Sequence, residues 1–412
     1  MHFDVLPLHI KIDYNTSTIS RRNRDGVLIM IKHERLILEK LTENPMLSQG
    51  ELAAMLNLTR SSVSVYISHL MQMGFIRGRG YLIEDHNTIY VIGTASIDYR
   101  TTIDEALLRD PSHTATWDDN ELNIDFGGIG KNISENIHRI GHNVSYIGAI
   151  GSDVLGQELL QECRQNGIDV SDSLVIPAKK SSTYLEISSR DRKEIILSSA
   201  NMKLQESLTP DFLQGKSAKL RHALAIVIED SLSENSIQYI SSNYSPIPVF
   251  MVCSKYTRVP RYMHFLNQFH ALVTSLDIAW LILGEQRIPP LQDVLTMDIA
   301  RQLSNKVGGA VLMCYGKSEV VYAHDNRAIL GRYSDPGYRA GIYAHYRDTV
   351  AAAFFHCLLE EADDEELLRY VCACRDIVSG TEQIVNKQLC PELVNSSMKK
   401  MSVEIHSDRT IR

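Results

Sequence analysis

FGGIGKNISENIHRIG, residues 126–141, sets two adjacent glycines between an apolar residue and a helical run, and the reading of the larger part of this 412-residue chain turns on it. Without a Cβ, Gly127 and Gly128 let backbone approach a ligand closely. Taken alone, the same pair is also what an ordinary strand-to-helix turn contains. Two neighbouring stretches narrow the choice. VIGTASID (91–98) is a short apolar strand followed by a turn that reaches Asp98, and YIGAIGSDVLGQELL (146–160) holds Gly148, Gly151, Asp153 and Gly156 in a G-x-x-G-x-D-x-x-G spacing. A carboxylate at 98 and an amide at Asn132 are groups that grip vicinal hydroxyls, because each offers two hydrogen-bonding atoms on one planar head.

Working outward, apolar strand candidates at 143–151, 223–230, 247–253, 271–276 and 309–316 alternate with helical segments at 132–140, 155–166, 232–243, 296–306 and 348–360. That alternation predicts an α/β fold with a doubly wound, largely parallel sheet over residues 88–392. STYLEISSRDRKEIILS (182–198) breaks the pattern and reads as a β-hairpin with a polar tip, able to lid a pocket. Residues 393–412 lack periodicity and are expected to form a flexible tail.

The three glycine-bearing stretches resemble the pfkB, or ribokinase-type, family of carbohydrate kinases over roughly residues 88–390. The likeness is greatest to pseudouridine and nucleoside kinases that also carry an N-terminal helix-turn-helix. It implies a ribokinase-like doubly wound sheet with a β-hairpin lid, and substrate-binding roles for Asp98, Gly127, Gly128 and Asn132 toward a sugar, nucleoside or phosphorylated sugar. ATP and Mg2+ are the implied cofactors if the chain is an active kinase.

The same resemblance exposes departures. The family places its catalytic base and its anion hole in one Gly-Ala-Gly-Asp motif at a helix N-terminus, where free amides cradle phosphate. Here AHYRDTVAAAFF (344–355) puts Asp348 in the base position, with His345, Tyr346 and Arg347 where the small residues should be. An Asn-x-x-Glu motif is replaced by Ser275-Leu276-Asp277-Ile278, leaving Asp277 as the one carboxylate for magnesium. MCYGK (313–317) keeps Gly316 of the nucleotide-binding strand. Losing one oxyanion donor costs about a hundred- to a thousandfold in rate, and several are replaced together. Arg347 could hold a phosphate by side chain instead. Asp348 reads equally as a helix N-cap.

The N-terminal part has a different character. RLILEKL (35–41) is helical and ends before Asn44-Pro45, and Ser48 with Glu51 has capping-box spacing before ELAAMLN. Asn57-Leu58 makes a turn, and Thr59 caps a third helix whose Val63, Ile67, Leu70 and Met71 share a face while Arg60, Ser61, Ser62, Ser64 and Tyr66 project elsewhere. FIRGRGYLI (75–83) then reads as a small wing bearing Arg77 and Arg79. This is a winged helix-turn-helix over 30–85, with Thr59, Arg60, Ser61, Ser62, Ser64, Arg77 and Arg79 as DNA-contacting candidates. A protein-interaction module of the same shape is the competing reading. Residues 1–29 form an extension, unless translation begins at Met30.

A net charge of −8 would argue against a nucleic-acid role if it were spread evenly, but residues 1–85 carry ten Lys/Arg against nine Asp/Glu, and 59–82 hold no acidic residue. With 44% hydrophobic and 22% charged residues the composition is that of a soluble globular chain, and no apolar run is long enough for a membrane span. The start lacks a secretory signal, so cytoplasmic residence is expected. Seven cysteines without a CxxC pair predict reduced packing residues. The histidines show no metal-ligand spacing, and His345 and His356 read as surface or packing residues. The combined expectation is a transcriptional regulator that binds double-stranded DNA, senses its ligand through a pfkB-like domain with degraded kinase motifs, and acts as a homodimer. The alternative is an active ATP-dependent kinase that also binds DNA. A scaffold that takes no ligand is the third reading.

Overall fold

The computed structural model describes residues 32–72, 75–76, 87–103, 121–189, 195–244, 247–284, 293–315, 319–333, 343–379, 381, 383–400 and 403–407. The main division between two compact units falls at Asn87 and Thr88.

In the first unit, α1 (Lys32–Glu43), α2 (Gln49–Leu56) and α3 (Arg60–Gln72) enclose a core of Ile37, Leu41, Leu52, Val63, Ile67, Leu70 and Ile76. The local chemistry sets the helix limits. Ser48 Oγ accepts the Glu51 amide at 3.2 Å, and the Glu51 carboxylate accepts the Ser48 amide at 2.7 Å, so the capping box is complete. Those bonds from Ser48 hold the Glu51 carboxyl below its ordinary value. Asn57 ends α2 in the left-handed region (φ 53°), a conformation asparagine tolerates better than most residues. Thr59 Oγ1 accepts the Ser62 amide at 3.1 Å and starts α3. Two expectations are corrected. Met71 is exposed, and Tyr66 is half-buried, stacked on His33 with ring centroids 5.9 Å apart. Arg77 and Arg79 lie outside the described residues.

One contact in this unit has no signature in the sequence pattern. Glu34 and His69 are both buried, and their side chains meet at 2.6 Å. Removing the imidazole would take away one buried hydrogen bond and leave a small void, which costs about 1–3 kcal/mol. His69→Ala is therefore expected to lower the melting point of the N-terminal unit and weaken DNA binding by the intact chain, while leaving ligand binding by the second unit unchanged. Parallel melting curves and electrophoretic mobility shifts read both effects.

The second unit is built on a mixed sheet in the order β4 (Asn143–Ile147), β1 (Thr88–Ile92), β9 (Ala225–Glu229), β10 (Val249–Val252), β11 (Ala271–Ser275), β12 (Ala310–Tyr315), β13 (Glu319–His324), β14 (Arg327–Tyr333) and β15 (Val403–Ser407). The first six strands are parallel and the last three antiparallel. The inner strands β9 and β10 are buried on both faces and read as apolar runs, as in AIVI and VFMV. Connecting helices are α4 (Ile129–Arg139), α5 (Val154–Gln165), α6 (Pro210–Gln214), α7 (Ser217–Leu220), α8 (Glu234–Asn243), α9 (Leu276–Ile282), α10 (Asp293–Val307), α11 (Tyr343–Leu359), α12 (Asp364–Ser379) and α13 (Pro391–Lys400). A short pair, β5 (Ala149–Gly151) with β6 (Leu174–Ile176), lies apart from the main sheet.

Three expectations change here. The hairpin becomes half of a four-stranded sheet, β3 (Asn123–Gly127), β2 (Ser96–Ile103), β7 (Thr183–Ser189) and β8 (Ile195–Asn201), because the polar alternation of SIDYRTTI concealed a strand. Its tip, 190–194, lies outside the described residues. The antiparallel end of the main sheet was also missed: Asp325 and Asn326, both at positive φ, close the β13–β14 hairpin. The segment expected to be a flexible tail instead forms α13, which buries Val394, and β15, which pairs with β14. Pairing with an open edge needs no periodic pattern, so periodicity alone could not show it.

Candidate functional site

In open α/β sheets ligands bind beyond the carboxyl ends of the strands, where the strand order reverses. Here the reversal falls at β1, since the chain passes from β1 to β4 on one side and later places β9 on the other. Residues after β1 and at the end of β9 should therefore line the site, and the glycines bring α4 to the same place. A Cβ on Gly128 would lie 2.5 Å from Ala95 Cα, one on Gly130 2.8 Å from Gly93 Cα, and one on Gly127 2.1 Å from Asp98 Oδ2. Gly128 also has φ +99°, so both space and backbone require glycine. Thr94 fixes the approach by accepting the Ile129 amide on its hydroxyl (3.1 Å) and the Lys131 amide on its carbonyl (3.0 Å).

The structure brings Asp98, Gly127, Gly128, Asn132 and Asp348 together. Asp98 is buried and accepts the Ser96 hydroxyl at 2.6 Å. Burial pushes its carboxyl up to about 7, against the pull of Ser96, Arg100 and Lys131. Asn132 Nδ2 donates to Asp348 Oδ2 at 2.9 Å, and the Asp348 carboxyl is likewise raised to about 7 by burial, opposed by Arg347 and Asn132. Asp348 is not a helix cap. It lies in the second turn of α11, buried, and Thr349 beside it donates to Asn136 Oδ1 at 3.2 Å, locking α11 against α4.

Four polar atoms here are buried without a hydrogen-bond partner among the described residues: Asn132 Oδ1, Asp348 Oδ1, Glu229 Oε2 and Arg347 Nε. Each such atom costs about 1–3 kcal/mol when left unsatisfied, so their concentration at one place marks it as the candidate ligand site. Glu229 was not singled out from the sequence. It ends β9, accepts the Thr94 amide, and is raised by burial. The sequence signal was the Glu229-Asp230 pair closing an apolar strand. Its neighbour is structural: Asp230 accepts the Ser254 and Lys255 amides, the Ser254 hydroxyl and Arg258. Lys131 was missed as well. Buried, its ammonium donates to the Phe126 carbonyl at 3.0 Å and to Glu135 at 2.9 Å, pinning the strand end that precedes the two glycines.

The nucleotide-side candidates are more scattered. Asp277 sits in the first turn of α9 at the exit of β11, exposed, and accepts the Ser275 hydroxyl. Arg347 Nε lies 3.9 Å from Asp348 Oδ1. Lys255, just past β10, has its ammonium held below the usual lysine value by partial burial and by Arg258 and Arg347. Gly316 and residues 334–342 lie outside the described residues, as does the side chain of His345.

In the first unit, Thr59, Arg60 and Ser61 are exposed at the start of α3, and Ser62 and Ser64 are half-exposed. The Thr59 hydroxyl lies 3.0 Å from that of Ser61 and 2.8 Å from that of Ser62, so a polar cluster caps the helix end that would enter a groove. Arg60→Ala is expected to weaken binding to all DNA sequences alike and to reduce the slope of log affinity against log salt by about 1, measured by fluorescence anisotropy across a salt series.

Comparison with known proteins agrees with both units. The model of the pfkB family carbohydrate kinases matches residues 87–330, and a winged helix-turn-helix DNA-binding model matches residues 32–77. The chain belongs to the pfkB family of carbohydrate kinases, with a winged helix-turn-helix at its N-terminal end. An uncharacterized sugar kinase of Escherichia coli K12, YeiI, is 28% identical over 364 residues, covering 87% of this chain and 97% of that protein. The pseudouridine kinase of the same organism is 26% identical over 190 residues, 46% of this chain and 59% of its own length. Among solved structures, a carbohydrate kinase from Agrobacterium tumefaciens superposes with a TM-score of 0.62 at 19% identity, over 78% of this chain and all of its own. The ribokinase of Arabidopsis thaliana complexed with ribose and ATP gives 0.62 at 16% identity, over 76% and 99%. At these identities the structural matches establish the ribokinase-like fold.

Proposed function

We propose that this chain is a DNA-binding transcriptional regulator, acting in the cytoplasm, whose pfkB-type domain (88–392) binds a sugar, nucleoside or phosphorylated relative and passes its ligand state to the winged helix-turn-helix (30–85). The observation that carries this reading is the start of α11. The helix begins at Tyr343, five residues before Asp348. Only the first four amides of a helix are free of its own ladder, so the amides of Arg347 and Asp348 are engaged and offer no phosphate cradle beside the base. The polyol side, by contrast, retains its carboxylates, amide and close-packed glycines. Thr59, Arg60, Ser61, Ser62, Ser64, Arg77 and Arg79 are the DNA-contacting set in this reading.

The test is a thermal-shift screen of sugars and nucleosides, with and without Mg-ATP, beside a coupled kinase assay. Stabilisation without turnover is the expected result. Turnover abolished by Asp348→Asn would instead establish a kinase.

That second reading has its own support. Asp348, with a carboxyl near 7, is matched to general-base work at neutral pH. Arg347 and Lys255 gather positive charge on the side where a transferred phosphate would lie, and Asp277 offers an oxygen ligand for Mg2+. Bound Mg-ATP would supply the phosphoryl group, with Asp348 taking the proton of the attacking hydroxyl.

We also infer a homodimer. No helix among the described residues is long and apolar enough to cross a membrane. The lid sheet nevertheless exposes Leu122, Ile124, Leu185 and Leu197. Ile124, Leu185 and Leu197 fall on one face by the strand registers, with Leu122 two residues before Ile124, while Asp98, Asp125 and Tyr184 share the opposite face. Such an apolar face is suited to a second copy. Leu185→Asp is expected to shift the chain from dimer to monomer by light scattering without unfolding it.

A further inference from the structure

The helices α4 and α11 meet a second time, at their far ends. Each carries a pocket residue near its start, Asn132 or Asp348, and each leads to a histidine, His356 about 12 Å beyond Asp348 by helical rise and His142 just past the end of α4. His142 follows α4, His356 lies in the last turn of α11, and Glu360 comes four residues later. The Glu360 amide still donates to the His356 carbonyl at 2.9 Å, so the helical spacing that puts His356 and Glu360 on one face is kept.

His142 Nε2 and His356 Nδ1 are 2.8 Å apart, and their rings meet edge to face with centroids 5.0 Å apart. One ligand atom from each of His142, His356 and Glu360 lies within 4.8 Å of the other two. Both imidazoles are half-buried and Glu360 is exposed, so the cluster is reachable from solvent. The ring of Tyr370, from α12, packs on His356 with centroids 4.8 Å apart. Tyr370 is 7% exposed, and its hydroxyl has no hydrogen-bond partner among the described residues. Its ring closes one side of the His356 imidazole. Two helix C-termini also converge here, and their outward-facing carbonyl ends favour a cation.

We propose that His142, His356 and Glu360 form a binding site for a first-row divalent transition metal of the zinc type, with a fourth position left to water. Two imidazoles and one carboxylate are a borderline donor set that suits zinc, nickel or cobalt, whereas Mg2+ and Ca2+ take oxygen ligands. Tetrahedral zinc with bonds of about 2.0–2.1 Å sets its nitrogen ligands about 3.3 Å apart, so the two rings must part by about half an ångström. The exposed Glu360 side chain completes the set from the open side. Sequence spacing hid the site because His142 and His356 are 214 residues apart, and His356, expected to be a surface or packing residue, takes a ligand position.

The test uses the full chain, stripped with chelator and titrated with ZnCl2 by calorimetry. His142→Gln, His356→Gln and Glu360→Gln are compared after circular dichroism has shown native folding. The expected result is a binding event of one equivalent that is lost in both histidine variants, is weakened about tenfold or more in Glu360→Gln, and is absent with MgCl2. Cobalt substitution adds a second readout, since tetrahedral Co2+ should give visible absorption bands in the parent and not in His142→Gln. Should a histidine variant fail to fold, the exposed Glu360→Gln and the cobalt spectrum of the parent still decide. No one-equivalent binding by the parent, or zinc bound equally by the folded variants, would overturn the proposal.

Discussion

Asp348→Asn should make the second unit more resistant to heat at pH 8 than its parent, while stopping any phosphoryl transfer the chain performs. The Asp348 carboxyl titrates near 7 in the folded chain, against an ordinary value of 3.8. Between those limits the folded form keeps a proton that the unfolded form sheds, so stability falls as pH rises through the window and stays low above it. Asparagine has no such proton to lose, and it can still present an oxygen to Asn132 Nδ2. The relief is worth a few kcal/mol on a scale of about 1.4 kcal/mol per pH unit, less whatever attraction to Arg347 is lost. The variant is therefore expected to melt roughly 5 °C higher at pH 8 and within error of the parent near pH 4. Asp98, also raised to about 7, keeps part of the slope in the variant. Two melting curves that run parallel from pH 4 to 8 would refute the assignment. A general base contributes about a hundred- to ten-thousandfold, so any turnover should fall by that factor.

Gly127→Ala should remove ligand binding with little loss of secondary structure. The added methyl group would sit 2.1 Å from Asp98 Oδ2, and any retreat of that buried carboxyl strains its bond from Ser96. Either the carboxylate swings out of the pocket or β3 shifts against β2. Both displace the carboxyl proposed to bind the ligand, and the overpacking itself costs about 1–3 kcal/mol. An affinity loss of about a hundredfold or more is expected for whichever sugar or nucleoside stabilises the parent, read by calorimetry. Unchanged affinity would mean that the ligand does not use this side of the pocket.

Much of this architecture could be read before any coordinates. The capping box at Ser48 and Glu51 and the left-handed turn at Asn57 are local chemistry and need no tertiary context. The inner parallel strands announce themselves as apolar runs because both of their faces are covered. The glycines at 127 and 128, with Asp98 and Asn132, were legible because close backbone approach and bidentate polar groups follow from residue type. What escaped depends on partners distant in sequence. Glu229 matters because β9 lies beside β1, and Lys131 because its ammonium reaches back to Phe126. Asp348 carried a motif that suggested a helix start, yet the helix begins at Tyr343, where no capping residue signals it. The His142–His356 contact joins two helix ends that only the packing of α4 on α11 brings together.

The pairing of β15 with β14 bears on how the protein is handled. Chain cut before Val403 would strip β14 of its neighbour along Ile329–Tyr333 and leave an unpaired row of amides and carbonyls, the kind of edge that recruits other chains into aggregates. Trimming the C-terminal end for crystallisation, or fusing a bulky reporter directly after Ser407, would be expected to lower solubility even though both changes lie far along the chain from the pocket and the helix-turn-helix.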